Sequence, residues 1–382
     1  GVEMEFVYVL DTEAPVEIMI WLPQLKAFCT AEDMTHNMHN LQTLRGAKVR
    51  NGLLWSKAVD TAIERYGDQV EVSFSTHHWP TWGNERIVNY WEAQRDMYFP
   101  VTGSILSNPK MLTPDEIAEE MKLPASLASQ FNCRGYYGTL SHNVKAQYDL
   151  YFGWFDGNPA HLNPLPPSEL GAKYVEAIGG ADKVLEVAKA SYAKGEYRWV
   201  ATLLDNLVFA EPENKEARQL LADTYSQLGY QAESGPWRNF YLTGAQDLFK
   251  KNVPYTSKLI NDGVLSQMDM GTLLDYCAIQ LNGEKAGGKE AVININFTDT
   301  KEKVMLMLNN GVLNHRLGSQ DKKADLTMEI AKMDFVKLFF GRTDLQTLHK
   351  TNKVKTTGDT KAIDIIRSAC EPADPNFNIV LP

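Results

Sequence analysis

The hydrophobic period changes twice along this chain, and that restricts the folds open to it. From Met4 to Thr76, apolar and polar residues alternate in short runs at Met4–Leu10, Val16–Leu22 and Val70–Thr76. This is the period of half-buried strands. One helix-like run, Leu53–Ile63, precedes the last of them. Strand, strand, helix, strand reads as part of a layered α/β domain. From Ala181 to Gly244 the apolar residues fall at helical spacing, and past about Lys250 strand alternation returns. A chain of 382 residues is too long for one simple core, so two or three domains are expected.

The middle of the chain reads as helices with clear punctuation. Thr113-Pro114-Asp115-Glu116 is a capping box with proline at the first helical position. Pro100–Ser104 and Asn108-Pro109-Lys110 read as loop, and a helix is expected from Ser141 to Tyr151. The proline-rich segment Asn158–Pro167 ends it. Ala188, Tyr192, Gly195, Tyr197, Ala201 and Leu204, then a Glu211–Asn214 turn, then Ala217, Leu221 and Tyr225 resemble a tetratricopeptide-like hairpin. There are too few repeats for a solenoid. The exposed faces then need another surface, such as a second copy of the chain; plain helical packing is the competing reading.

The last third reads as a small α+β domain. A helix at Leu273–Leu281 precedes a strand at Val292–Phe297, and Asn309-Asn310-Gly311 signals a tight hairpin between Val304–Leu308 and Val312–His315. A strand at Leu326–Ile330 leads into a helix at Met333–Phe340. His315 and His349 are isolated, and Met305, Met307, Phe335, Phe339 and Phe340 read as core before they read as a lipid slot.

Composition excludes some functions. The formal charge of −10, from 38 basic and 48 acidic residues, argues against nucleic acid as the main partner. No apolar run is long enough for a membrane-spanning helix, so an integral membrane protein is not expected. Cys29, Cys133, Cys277 and Cys370 are far apart without a CxxC pair and read as core thiols. The first ten residues look like a strand entered in mid-sheet, so the chain is expected to begin inside a larger protein. Compartment is therefore not readable from it.

The chemistry-bearing residues cluster between Glu13 and Arg50, with an echo at Thr76–Pro80. Glu13 and Glu32 follow strand-like segments and His77 ends one. Two carboxylates and an imidazole suit zinc or another first-row divalent metal, although solvated glutamates are the commoner occurrence. His36 and His39 are three apart, which on a helix would put them on one face as ligands, orienting donors or packing groups. Arg45 and Arg50 beside Asn40 and Thr43 would make an anion pocket, because guanidinium donors match tetrahedral oxyanions; a solvated basic turn competes.

Several longer stretches go beyond composition and spacing. Ala31-Glu32, Thr35–Asn40, Thr43–Gly46 and Ser75–Pro80 resemble the linear alkylsulfatases of the metallo-β-lactamase superfamily. Arg134–Asn143, Gly153–Pro159 and Leu228–Leu242 are similar to that family's helical dimerisation domain. Gly271 to Val380 resembles its sterol-carrier-like end. The resemblance implies a multi-domain α/β and α+β protein. Residues 1–106 would be the later part of a lactamase-like α/β catalytic domain, 107–246 an all-α dimerisation domain, and 247–382 a sterol-carrier-like α+β domain. It implies two zinc ions per complete site, with Glu13, Glu32 and His77 among the ligands. Asn40, Leu41, Gln42, Thr43, Leu44, Arg45 and Arg50 would bind sulfate, and His36, His39 and His78 would support the ligands. The implied partners are a second copy of the chain and an alkyl sulfate or other amphipathic small molecule.

This sequence departs from the family pattern in three places. The family's upstream metal motif, H-x-H-x-D-H, does not occur in it. Only half of the metal site is therefore expected, and the chain alone is expected to be inactive. Tyr98–Ser104 stands where the family continues a helix, and Asp11 stands where glycine is usual. The competing expectations are a noncatalytic dimeric binding protein for an apolar ligand and a hydrolase of a different ester.

Overall fold

A computed structural model describes residues 1–106, 112–249, 261–371 and 377–382. The chain divides into two compact units, Gly1–Lys251 with Asn378–Pro382, and Asn252–Phe377.

The first unit begins with a five-stranded sheet in sequential order, β1 (Glu5–Leu10), β2 (Val16–Leu22), β3 (Ala27–Cys29), β4 (Val72–Phe74) and β5 (Thr81–Trp82). Strands β1 to β3 are antiparallel neighbours, while β3 and β4 run parallel. Parallel strands need a crossover, and helix α1 (Gly52–Tyr66) provides it. Asn51 caps α1 by accepting from the Leu53 and Leu54 amides. Val7, Val9, Met19 and Trp21 point inward, and Trp21, Phe28, Tyr66 and Trp91 form an aromatic cluster with ring centres 5.0–6.3 Å apart. The alternate side chains Phe6, Tyr8, Leu10, Val16 and Ile18 lie exposed on the opposite face.

Helix α2 (Asn84–Leu106) corrects the loop expected at Pro100–Ser104, because it continues through Pro100. Proline removes one backbone hydrogen bond. Packing on both sides of the interruption holds the helix: Met97, Tyr98, Val101 and Ile105 are all buried, and Tyr98 stacks on Trp55 at 4.9 Å. The Asn108-Pro109-Lys110 loop lies outside the described residues.

Helix α3 (Pro114–Glu120) opens with both hydrogen bonds of the Thr113–Glu116 capping box. A short α4 (Ala125–Ala128) and α5 (Leu140–Phe152) follow. The paired helices are α6 (Pro167–Ile178), α7 (Ala181–Ala193), α8 (Tyr197–Ala210), α9 (Lys215–Gln231) and α10 (Gly235–Asp247). Their core is aliphatic, centred on Val184, Ala188, Leu204, Leu207, Val208 and Leu221, with Val380 and Leu381 packed against it. Helix α8 packs on α6, α7 and α9, and α10 on α9. At Gly171 the α6 backbone meets the Asn206 carbonyl so closely that a Cβ would clash.

The second unit adds α11 (Asp262–Gln267), α12 (Met270–Ala278) and α13 (Gly283–Ala286) before its sheet. The strands are β6 (Ala291–Phe297), β7 (Lys303–Asn309), β8 (Val312–Leu317), β9 (Leu326–Ile330) and β10 (Val354–Gly358), ordered β10-β9-β6-β7-β8. Asn310 and Gly311 both take positive φ, 54° and 74°, so the expected hairpin closes on a mirror-image turn. Helices α14 (Lys332–Phe339), α15 (Leu345–Lys350) and α16 (Lys361–Ala369) complete it; β10, α15 and α16 were not anticipated. Met305, Phe335 and Phe339 are core residues, as read from the sequence. Among the described residues no helix is long and apolar enough to cross a membrane.

Candidate functional site

Strand directions bring three loops to one edge of the first sheet. Because β2 reverses β1, β3 reverses β2 and β4 parallels β3, the C-terminal ends of β1, β3 and β4 emerge together. The loop after β1 carries Glu13, the loop after β3 carries Glu32 to Arg50, and the loop after β4 carries His77 and His78. Each loop holds one non-glycine residue at positive φ beside these groups: Asp11 (54°), Ala31 (47°) and His78 (68°). Such conformations cost on the order of 1–3 kcal/mol each and persist where surrounding structure enforces them. Here Thr76 donates its amide to Ala31 O at 3.0 Å and Thr30 donates to Phe74 O at 2.8 Å, tying the second and third loops together.

Glu32 lies at the meeting point. Its Oε2 is 3.4 Å from His39 Nε2 and its Oε1 is 3.1 Å from His77 Nε2. The His39 hydrogen bond, ahead of the one to His77, holds the Glu32 carboxyl at about 2. His39 is buried: its Nδ1 faces the Asn40 carbonyl at 3.0 Å and its amide donates to Tyr98 Oη at 2.9 Å. Ligand atoms of Glu13, Glu32 and His39 all lie within 4.8 Å of one another. Thr35, Asn37, His39, His77, His78 and Tyr137 line the adjoining cavity of about 320 Å³.

Carboxyl groups are concentrated behind this cluster. Asp33 is fully buried and neither of its carboxylate oxygens has a hydrogen-bond partner. Burial pushes it up to about 8, with the neighbouring Glu17 and Glu13 carboxylates adding to the effect. Burial likewise raises Glu17. The positive charge among these groups is Arg50, which is buried against the Glu13 carboxylate and backbone and donates to Asn40 O at 2.9 Å. Two carboxylates and an imidazole, Glu13, Glu32 and His39, fit one divalent cation.

The loop between Thr30 and Asn51 is not helical, so His36 and His39 do not share a helix face. His36 is sandwiched between Trp79 at 4.9 Å and Tyr90 at 4.8 Å, with Nε2 3.1 Å from Trp79 O. His78 Nδ1 accepts from the His36 amide at 3.4 Å. The Asn40–Arg45 segment is spread over different surroundings. Asn40 holds Arg50, Leu41 is buried in the core with its amide on Asn143 Oδ1 at 2.9 Å, and Thr43 has a buried hydroxyl without a partner. Gln42 and Leu44 line a separate cavity of about 390 Å³ with His142, Trp237 and Phe240. Arg45 is exposed.

Asp33, Tyr98 and Tyr137 were not singled out from sequence. Asp33 had a visible signal, a second carboxylate directly after Glu32. The tyrosines arrive from α2 and from the loop before α5, which no local pattern connects to the site.

Comparison with known proteins decides the family. Residues 113–251 match the alkyl sulfatase dimerisation family and 258–382 the alkyl sulfatase C-terminal family. A linear primary-alkylsulfatase from Pseudomonas sp. is 44% identical over 385 residues, covering 100% of this chain and 57% of that protein. The chain belongs to the alkylsulfatase family. An (R)-specific secondary-alkylsulfatase from Pseudomonas sp. is 43% identical across 100% of this chain and 58% of its own length. An alkyl/aryl-sulfatase of Saccharomyces cerevisiae is 40% identical across 100% of this chain and 59% of its own. The solved structure of a stereoselective inverting sec-alkylsulfatase from Pseudomonas sp. matches with a TM-score of 0.96 at 42% identity, covering 100% of this chain and 60% of that one. The chain thus spans somewhat under two thirds of the relatives it matches.

Proposed function

We propose that the alkylsulfatase of which this chain forms part hydrolyses linear alkyl sulfates to an alcohol and inorganic sulfate at a zinc centre. This chain supplies Glu13, Glu32 and His77 to that centre and is inactive alone. The observation that carries the reading is the convergence of Glu13, Glu32, His39 and His77 from three separate loops onto one sheet edge, in a chain 40–44% identical to alkylsulfatases. The absence of H-x-H-x-D-H from these 382 residues supports the split site. So does the exposed apolar face of β1 and β2, where a further layer of a lactamase-like domain would pack.

When bound, zinc supplies Lewis acidity toward the ester and its attacking water. Glu32, ionised far below neutral pH, presents two oxygens held by His39 and His77. His39 in turn is fixed by the Asn40 carbonyl and by Tyr137, whose ring meets it edge-on at 4.8 Å. Arg50 holds Glu13 and Asn40 in register, which leaves exposed Arg45 as the guanidinium open to a leaving sulfate. The match of residues 113–251 to a dimerisation family supports a homodimer. A second reading, a noncatalytic dimeric protein binding an apolar ligand through a sterol-carrier-like second unit, rests on the missing upstream ligands.

The test is hydrolysis of dodecyl sulfate, followed by released sulfate, in the longer protein and in this chain. Turnover by the longer protein alone supports the proposal; a longer protein that binds no zinc and releases no sulfate removes it.

A further inference from the structure

The loop that carries His36 to Arg50 has no regular structure of its own. Residues 30–50 form neither helix nor strand, so their backbone polar groups need partners from elsewhere in the fold. Helix α5 supplies several of them through two side-chain amides one turn apart, Asn143 and Gln147, both fully buried. Asn143 Nδ2 donates to His39 O at 2.9 Å, and Asn143 Oδ1 accepts from the Leu41 amide at 2.9 Å. Gln147 Nε2 donates to Arg50 O at 2.7 Å, and Gln147 Oε1 accepts from the Gly52 amide at 2.9 Å. Each side chain thus pairs the carbonyl of one residue and the N–H of the residue two further on, as one residue of a neighbouring strand would. A turn later along α5, Tyr151 Oη donates to Asn51 Oδ1 at 3.2 Å.

The two clips sit at the base of a closed loop. Arg50 donates its amide to Leu41 O at 2.8 Å, so the chain leaves and returns at one point, and residues 42–49, with Thr43 and Arg45, hang between. The fit at the base is tight: a Cβ on Gly52 would lie 3.2 Å from Gln147 Oε1 and 3.1 Å from Leu41 Cδ1. The amides stand 95–104 positions from the groups they hold, so nothing local imposes this shape. Helix α5 lies within the stretch 113–251 that matches the dimerisation family, whereas the loop precedes it.

We propose that Asn143 and Gln147 are positioning residues for sulfate ester hydrolysis: through them α5 sets the shape of the loop that presents His39, Arg45 and Arg50. A helix of the dimerisation-type region is then part of the site's framework. This rests on the alkyl sulfate reading above and adds to it the groups that hold its anion loop in place. Both amides are fully buried, so they act through the loop and not on the ester. Losing either one leaves two backbone groups of the loop without partners, and a displacement of about 1 Å at reacting groups costs on the order of a hundredfold in rate.

Two measurements on the longer protein test it, with Asn143→Leu and Gln147→Met removing each amide at nearly constant volume. The first is kinetic: kcat and KM for dodecyl sulfate, and Ki for inorganic sulfate as a competitive inhibitor. The expected result is a fall in kcat/KM of about tenfold or more, with Ki rising by a comparable factor. A lower melting temperature with kcat, KM and Ki unchanged in the folded enzyme overturns the proposal, because the amides then merely stabilise the fold. Should an apolar variant fail to fold, Gln147→Glu, which keeps the acceptor for Gly52 and loses only the donor to Arg50 O, is read in the same way. The second measurement needs no turnover: backbone hydrogen exchange is compared between the variants and wild type. Exchange about tenfold faster within residues 39–52 and unchanged in β2 supports the clamp. Unchanged exchange in 39–52, or acceleration spread evenly over the first unit, overturns it. Wild type that releases no sulfate while the exchange result holds removes the sulfatase reading but leaves the clamp standing.

Discussion

Glu32 Oε1 and His77 Nε2 stand 3.1 Å apart although 45 positions separate them in sequence. Parallel pairing of β3 and β4 creates this proximity, because it delivers the two following loops to the same sheet edge. A carboxylate in that position, with His39 on its other oxygen, organises the cluster.

On the proposed metal assignment, replacing Glu32 with Gln is expected to affect cation binding more than any single histidine change. In the longer protein, Glu32→Gln is expected to weaken zinc affinity by at least about 100-fold, and His39→Ala by roughly 10–100-fold. Competition titration with a chromophoric chelator measures both. Unchanged affinity in Glu32→Gln would contradict the assignment.

Gly138 packs directly on the loop that carries His39. Its amide donates to Met38 O at 2.8 Å, and a Cβ would lie 2.5 Å from His39 O and 2.7 Å from Asn40 N. Gly138→Ala must push that loop away, and is expected to cost about 1–3 kcal/mol of stability and weaken zinc binding together. Thermal unfolding and the same chelator titration test it; an unperturbed variant would show that the loop is free to move.

His142 bridges two parts of the first unit in one tautomer. Nε2 donates to Gln42 O at 2.6 Å and Nδ1 accepts from Trp237 Nε1 at 3.2 Å. Burial lowers its pKa below the usual 6.5. The unfolded chain therefore binds the extra proton first, so the stabilisation is complete above about 6.5 and is lost as pH falls through the lower folded value. The loss is expected to be on the order of 1 kcal/mol. Melting His142→Gln and wild type at pH values either side of 6.5 measures it; the variant should show the shallower acid decline, and identical declines would contradict this account.

Pro100 interrupts α2 without ending it. Pro100→Ala restores an amide donor in a helix interior and is expected to stabilise the first unit by about 1 kcal/mol or more. Denaturant unfolding measures it, and a destabilised variant would show that the proline ring contributes packing that outweighs the missing hydrogen bond.

Much of this molecule was legible because local pattern and burial agree. The Val16–Leu22 strand, the Thr113 capping box and the Asn310-Gly311 turn fall where their residues placed them. Pro100 misled because proline speaks only for its own turn, whereas buried Met97, Tyr98, Val101 and Ile105 speak for the whole helix. The His36–His39 spacing left their roles open for a related reason: a separation of three places groups together only on a helix, and this loop has none. His39 was named as a supporting group, but its place within 4.8 Å of Glu13 and Glu32 depends on Tyr98 and Asn143, which hold its backbone from distant helices.

The most direct test of the split-site account is zinc content and sulfate release from dodecyl sulfate, measured side by side on the longer protein, its Glu32→Gln variant and this chain. The account predicts about two zinc ions and turnover in the longer protein, with turnover abolished in the variant and absent from this chain. Full turnover in Glu32→Gln, or turnover in this chain alone, would contradict it.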